Sequence, residues 1–189
     1  MAIKPLPSPE VLRQLLRYEP ETGKLFWLPR GAQWFNATQG RTAAHACANW
    51  NARYAGREAF TATDHNGYRC GAILNVNFLA HRVVWAIHYG QEPSGQIDHI
   101  NGMPHDNRLA NMRIASQSEN MRNLRRPRNN TSGQVGVTWR KQEAKWSARI
   151  VVAGKRSISL GRFHAYEDAV AARKEAEVTF GYHANHGRA

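Results

Sequence analysis

The densest run of side chains able to do chemistry lies between Ile97 and Asn123, in IDHINGMPHDNRLANMRIASQSENMRN. A carboxylate, Asp98, is followed at once by an imidazole, His99, and two amides stand 13 and 22 residues beyond Asp98, at Asn111 and Asn120. An imidazole of ordinary pKa, about 6.5, is the side chain best suited to accept a proton near neutral pH. A carboxylate and an amide supply oxygen donors of the kind a hard divalent cation takes. Taken singly, each of these residues also reads as a turn former or a half-buried polar group, because Asx turns are common. His105, Asp106 and Asn107 are read in that plainer way; the spaced set is read as a small metal-dependent centre.

Local signals divide the stretch into elements that would position the set. Ile97 to Ile100 reads as a strand end, Asn101-Gly102 as a turn, and Pro104 with Asp106-Asn107 as a longer loop. Met112 to Ala115 returns as a second strand. Ser116 sits three residues before Glu119, the capping-box spacing, so a helix should open there with Asn120 and Asn123 on one face. Pro127 stops it by forcing the preceding residue out of helical geometry. Neighbours in a regular strand point to opposite faces, so Asp98 and His99 must lie where the strand bends or reach the substrate from its two sides.

The pattern of Asp98-His99, Asn111 and Asn120 resembles the HNH nuclease family in its H-N-N variant, found in phage and intron-encoded members, over about 65 residues from Gly67-Tyr68 to Asn123. The resemblance implies a two-stranded ribbon and a helix around one divalent metal. It makes Asp98 and Asn120 metal ligands, His99 the general base, and Asn111 the residue that braces the loop carrying the His. Phosphodiester hydrolysis is consistent with those types: a water must be deprotonated, and a cation must stabilise charge on the scissile phosphate. One carboxylate and one amide leave the ion net positive, and the oxygen donors point to Mg2+ or Mn2+.

Composition sets bounds. The chain has 189 residues, 42% of them apolar, enough for one or two small domains with cores. No apolar run is long enough for a membrane span, and MAIKPLPSPE lacks a signal-peptide core, so a soluble intracellular protein is expected. Cys47 and Cys70 form no CxxC pair, so no structural zinc is expected. The net charge of +12 points to a polyanionic partner. Residues 121–189 hold 14 Lys and Arg against 5 Asp and Glu, so most of the grip is C-terminal.

Upstream of the centre, Ser8-Pro9-Glu10 reads as a helix start followed by the apolar stripe Val11, Leu12, Leu15 and Leu16. Residues 19–23 turn into a strand, Lys24 to Leu28. Residues 29–58 lose periodicity; their aromatics with Arg30, Arg41, Arg53 and Arg57 suit either an extra DNA-contacting loop or, preferably, aromatics packed under a long loop. A strand is expected from Gly67-Tyr68 through Val76, then a helix from Phe78 to Tyr89 with Gly90 at its end. His81-Arg82 there is similar to the segment that precedes the nuclease motif in phage homing-type enzymes and is read as scaffold, with Arg82 a phosphate contact.

Arg122, Arg125, Arg126 and Arg128 lead into Asn129-Asn130-Thr131-Ser132-Gly133, a basic turn-rich linker where a domain boundary is expected. Beyond it, Trp146, Ala148, Ile150 and Val152 alternate with Lys145, Ser147 and Arg149, which predicts a strand with one core face. Val135, Val137, Ile158 and Leu160 complete that face under a helix from Tyr166 to Phe180. The run GVTWR, KWSARI, LGRF, EDAVAAR and FG resembles the Apetala/ethylene-response-factor DNA-binding domain, which reads the major groove with a three-stranded sheet. Arg140 matches its base-reading pattern; Thr138, Arg149, Ser157 and Ser159 depart from it. The docking mode is therefore carried over and the target sequence is not.

The expected fold is α+β: a ββα-metal HNH core (59–124) with an N-terminal extension (1–58), a linker (125–133) and a C-terminal three-stranded sheet on one helix (134–189). The expected function is a metal-dependent DNA endonuclease of homing or nicking type, phage-encoded and acting in the host cytoplasm. The alternative is a non-catalytic DNA-binding regulator on the same scaffold. Double-stranded DNA is the partner, and no obligate protein partner or membrane is inferred. DNA contacts are assigned to Arg82, Arg113, Arg122, Arg125, Arg126, Arg128, Arg140, Lys145, Arg149, Lys155 and Arg156.

Overall fold

The computed structural model describes residues 5–116, 119–120, 122–123, 126–152, 157–184 and 186–188. The chain divides into two compact units, Met1–Ile114 and Ala115–Ala189. No described helix is long and apolar enough to cross a membrane.

In the first unit, helix α1 (Pro9–Leu15) opens where Ser8 caps it, its hydroxyl accepting from the Val11 amide, with Pro9 in the first turn. Strand β1 (Leu16–Glu19) follows without a loop and pairs antiparallel with β2 (Lys24–Trp27), which pairs in turn with β3 (Glu58–Ala59). Residues 29–58, unassigned from sequence, hold a short 3-10 turn and helix α2 (Ala43–Tyr54), which is capped by Thr42 and buries none of its residues.

Strands β4 (Ala62–Thr63), β5 (Arg69–Ile73) and β6 (Val76–Leu79) form an antiparallel sheet. The single strand expected through Val76 is instead a hairpin. Leu74 and Asn75 form its turn with φ of 49° and 64°, and a leucine in left-handed geometry carries no turn signal in sequence. Helix α3 (Ala80–Tyr89) follows and ends at left-handed Gly90, as its C-terminal glycine implied. Leu12, Leu15, Leu16 and Leu25 share one core with Ile73, Val83, Val84, Ile97 and Met112. The segment expected as an extension is therefore part of the body that carries the motif.

Strand β7 (Gln96–His99) pairs with β8 (Met112–Ala115) across a loop that holds a short 3-10 turn at Leu109–Asn111.

The second unit begins with the predicted capping box. The Ser116 amide and hydroxyl both reach the Glu119 carboxylate, at 2.8 and 2.7 Å, and the Ser116 hydroxyl accepts from the Glu119 amide. Strands β9 (Val137–Arg140), β10 (Lys145–Val151) and β11 (Ser157–Phe163) form an antiparallel sheet in the order β11-β10-β9. Helix α4 (Tyr166–Thr179) lies on it, burying Ala169 against Val137 and Ala148. Ala165 stands at the N-cap with no side-chain hydrogen bond, a loss of about 1 kcal/mol against Ser or Thr.

The expected linker does not separate this sheet from what precedes it. The Arg126 amide donates to Arg188 O, and the Arg188 guanidinium reaches Asn123 O, so Asn123 and Arg126 are both tied to Arg188.

Candidate active site

Asp98 and His99 end β7, where burial extends to both faces of the strand: Ile97, Asp98 and His99 are all buried. The two side chains turn to different partners. Asp98 Oδ2 accepts from Arg113 Nε and Nη2 at 3.1 and 2.9 Å, across to β8. His99, 4% exposed, meets Asn107 Oδ1 through Nε2 at 3.1 Å. An amide oxygen only accepts, so Nε2 carries the proton and Nδ1 the lone pair.

Asn111 spans the loop between the strands. Its Oδ1 accepts from the Asn101 amide at 2.9 Å, and its Nδ2 donates to Asp106 O at 2.8 Å. Within that loop Asp106 holds Asn101 Nδ2 and the Arg108 guanidinium, and Arg108 keeps its carboxyl down at about 2. The N-terminal hairpin supports the same loop from outside. Tyr18 Oη donates to Asn107 O at 3.0 Å, and Gly23, at φ 73°, leaves so little room that a Cβ there would lie 2.6 Å from the Arg108 amide nitrogen.

Two further rings enclose the imidazole. His81 of α3 meets His99 edge-on with centroids 5.4 Å apart, and Tyr68 touches both. Burial pushes His81 down to about 3, and its Nδ1 has no hydrogen-bond partner among the described residues. Burial likewise holds His99 below its ordinary value, opposed in part by the Asn107 hydrogen bond and the Asp98 charge.

Three of the four residues singled out in sequence thus stand in the first unit, within one hydrogen-bonded strand-loop-strand. Asn120 is half-buried in the second unit, just after Glu119, with its amide donating to Ser116 O at 3.0 Å. Asn107, read as an ordinary turn former, is the buried partner of His99. Its signal was hidden, because an Asp-Asn pair in a loop looks the same whether or not the amide turns inward. Among the described residues no group of three or more His, Cys, Asp and Glu could hold a metal ion. A cation would depend on Asp98 and amide oxygens.

The residues expected on DNA are spread over both units. Arg82 pairs with Glu92, and Arg113 pairs with Asp98 while its side chain stays partly exposed. Arg122 is half-buried, Arg126 donates to Gly133 O, and Arg128 is exposed. Arg140 and Arg149 are exposed on the C-terminal sheet, and Lys145 stands opposite Arg140 in its register. Arg125, Lys155 and Arg156 lie outside the described residues.

Comparison with known proteins adds to this geometry. The chain is 40% identical over 76 residues to Protein 3.8 of Escherichia phage T7, a stretch that covers 40% of this chain and 63% of the phage protein. No solved structure matches it. Residues 78–122, from the end of β6 through α3, β7 and β8 to the capping box, match the family described as HNH endonuclease.

Proposed function

We propose that the chain is a metal-dependent DNA endonuclease whose base is His99. The observation that carries this reading is the Asn107 bond to His99 Nε2, inside the stretch that matches the HNH endonuclease family. It aligns the imidazole, the group that would take the proton of the attacking water. In the proposed reaction a water bonds to phosphorus as His99 takes its proton, and the ester P–O bond breaks. Asn111 keeps the loop, and so Asn107, at the distance that this requires. Arg113 fixes the Asp98 carboxylate.

Asp98 would be the first-unit ligand of one Mg2+ or Mn2+, since its carboxylate offers the hard oxygen donor that such ions take. When bound there, the ion supplies Lewis-acid stabilisation of charge on the phosphate and the leaving oxygen. The second unit would deliver the enzyme to its target, with Arg140, Lys145 and Arg149 of its sheet on DNA. A nicking or homing-type role is the finer form of this proposal.

A second reading has an observation of its own. Arg113 occupies one oxygen of Asp98, and His99 is almost wholly buried, as in a scaffold that binds DNA without cutting it. A supercoiled-plasmid assay separates the two. The enzyme converts plasmid to nicked circles with Mg2+ or Mn2+ and stops with chelator, whereas metal-independent binding with no product at any metal concentration would leave the regulator.

A further inference from the structure

The first unit contains a second concave site that the nuclease reading does not use. A cleft of about 550 Å³ opens between α2, the end of β2 and the tip of the β5–β6 hairpin. Trp27, Trp34, Phe35, Trp50 and Tyr54 contribute aromatic walls, with Trp50 meeting Trp27 edge-on at 5.6 Å and Tyr54 at 5.3 Å. Rings that only packed under a loop would close this space. Here they leave a volume in the range that accepts a small planar ligand.

Arg30 sets the chemistry of that ligand. Its backbone is held at both ends: Asn51 Oδ1 accepts from its amide, and Asn51 Nδ2 donates to its carbonyl. Its guanidinium lies over Trp50 at 3.9 Å and near Trp27 at 4.9 Å, and the buried Nε has no hydrogen-bond partner among the described residues. A flat cation stacked among indoles suits a flat ligand rich in acceptors. Between Glu21 and Glu58 the chain has no acidic residue but carries Lys24, Arg30, Arg41, Arg53 and Arg57. Of these Arg30 lines the cleft and Lys24 pairs with Glu58, and the remaining charge suits a ligand carried on a polyanion.

The hairpin tip supplies the remaining part. Leu74 is 44% exposed in left-handed geometry beside the cleft, and Asn75 follows it, exposed and with an amide side chain of the type that meets base edges. Apolar side chains presented in this way part stacked bases, and unpaired bases stack on aromatic and guanidinium planes. We propose that this cleft binds one unpaired nucleobase of the DNA, with Leu74 as the wedge that separates it from its neighbours. The proposal rests on the reading of the chain as a DNA-acting protein and adds to it a site for an extruded base.

The test uses the full-length chain in chelator and two labelled duplexes of one sequence, fully paired and with a single unpaired thymine. The unpaired base should tighten binding by about tenfold, the scale of one base stacked on aromatic rings. Leu74→Asn, which suits a left-handed turn and should not lower the melting temperature, removes that preference and leaves affinity for the paired duplex unchanged. Trp34→Ala does the same. Equal affinity for both duplexes, or a preference that survives both substitutions, overturns the site, and a groove reserved for a protein segment predicts that outcome. If plasmid nicking persists while the preference is absent, only this proposal falls; if neither duplex binds, the DNA reading falls with it.

Discussion

Asn111 works at both of its ends, and that makes its removal informative. Asn111→Ala strips one acceptor and one donor from the loop at a position that is itself buried, so unfolding free energy should fall by about 2–3 kcal/mol in urea titrations. Cleavage should fall with it, because Asn107 is held by the same loop. Asn107→Ala is the sharper variant: the imidazole loses its orienting bond, so turnover drops while the Kd for DNA stays near that of the wild type. Equal loss of turnover and affinity would tell against an orienting role. Asp98, His99 and Asn111 were legible because their types and spacing are unusual together. Asn107, Tyr68 and His81 were not, since each type has a commonplace use and only the folded loop brings them around one ring.

At the scale of elements, the support for the centre comes from far upstream. The β1–β2 hairpin touches the loop between β7 and β8 through Tyr18 and Gly23. Gly23→Ala would force a Cβ against the backbone of Asn107 and Arg108 at an already left-handed position, so we expect a lower melting temperature and weaker cleavage than Gly40→Ala. Gly40 also has positive φ but an open surrounding, which makes it the control for backbone strain alone.

Elements with strong local signals were readable: the caps of α1 and of the helix at Ser116, the αL end of α3, the two strands β7 and β8, and the C-terminal sheet with its helix. Residues 29–58 were not, because α2 buries none of its residues and so shows no apolar stripe. The β5–β6 turn was missed because Leu74 adopts a backbone conformation that leucine rarely occupies.

For the whole molecule, two titrations are diagnostic. His81 is held at about 3 by burial against an ordinary 6.5, so its folded-state pKa is depressed. The stability it permits is complete above the unfolded value and is lost as pH falls toward the folded one, by roughly 1.4 kcal/mol per pH unit. His99, shifted the same way, adds to the slope. His81→Phe should flatten the acid limb of stability between near-neutral pH and about pH 5, measured by urea unfolding. Salt gives the second titration. With a net charge of +12, weighted to the C-terminal part, log K for DNA should fall linearly with log salt, and Arg140→Ala or Arg149→Ala should reduce the slope.

The most direct measurement sets cleavage against binding for one substitution. Wild type and His99→Ala are compared on the same DNA, with nicking rate measured in Mg2+ and equilibrium affinity in chelator. The account predicts a rate lowered by roughly 10²–10⁴-fold with affinity unchanged. A His99→Ala protein that folds, binds DNA and nicks at the wild-type rate would contradict it.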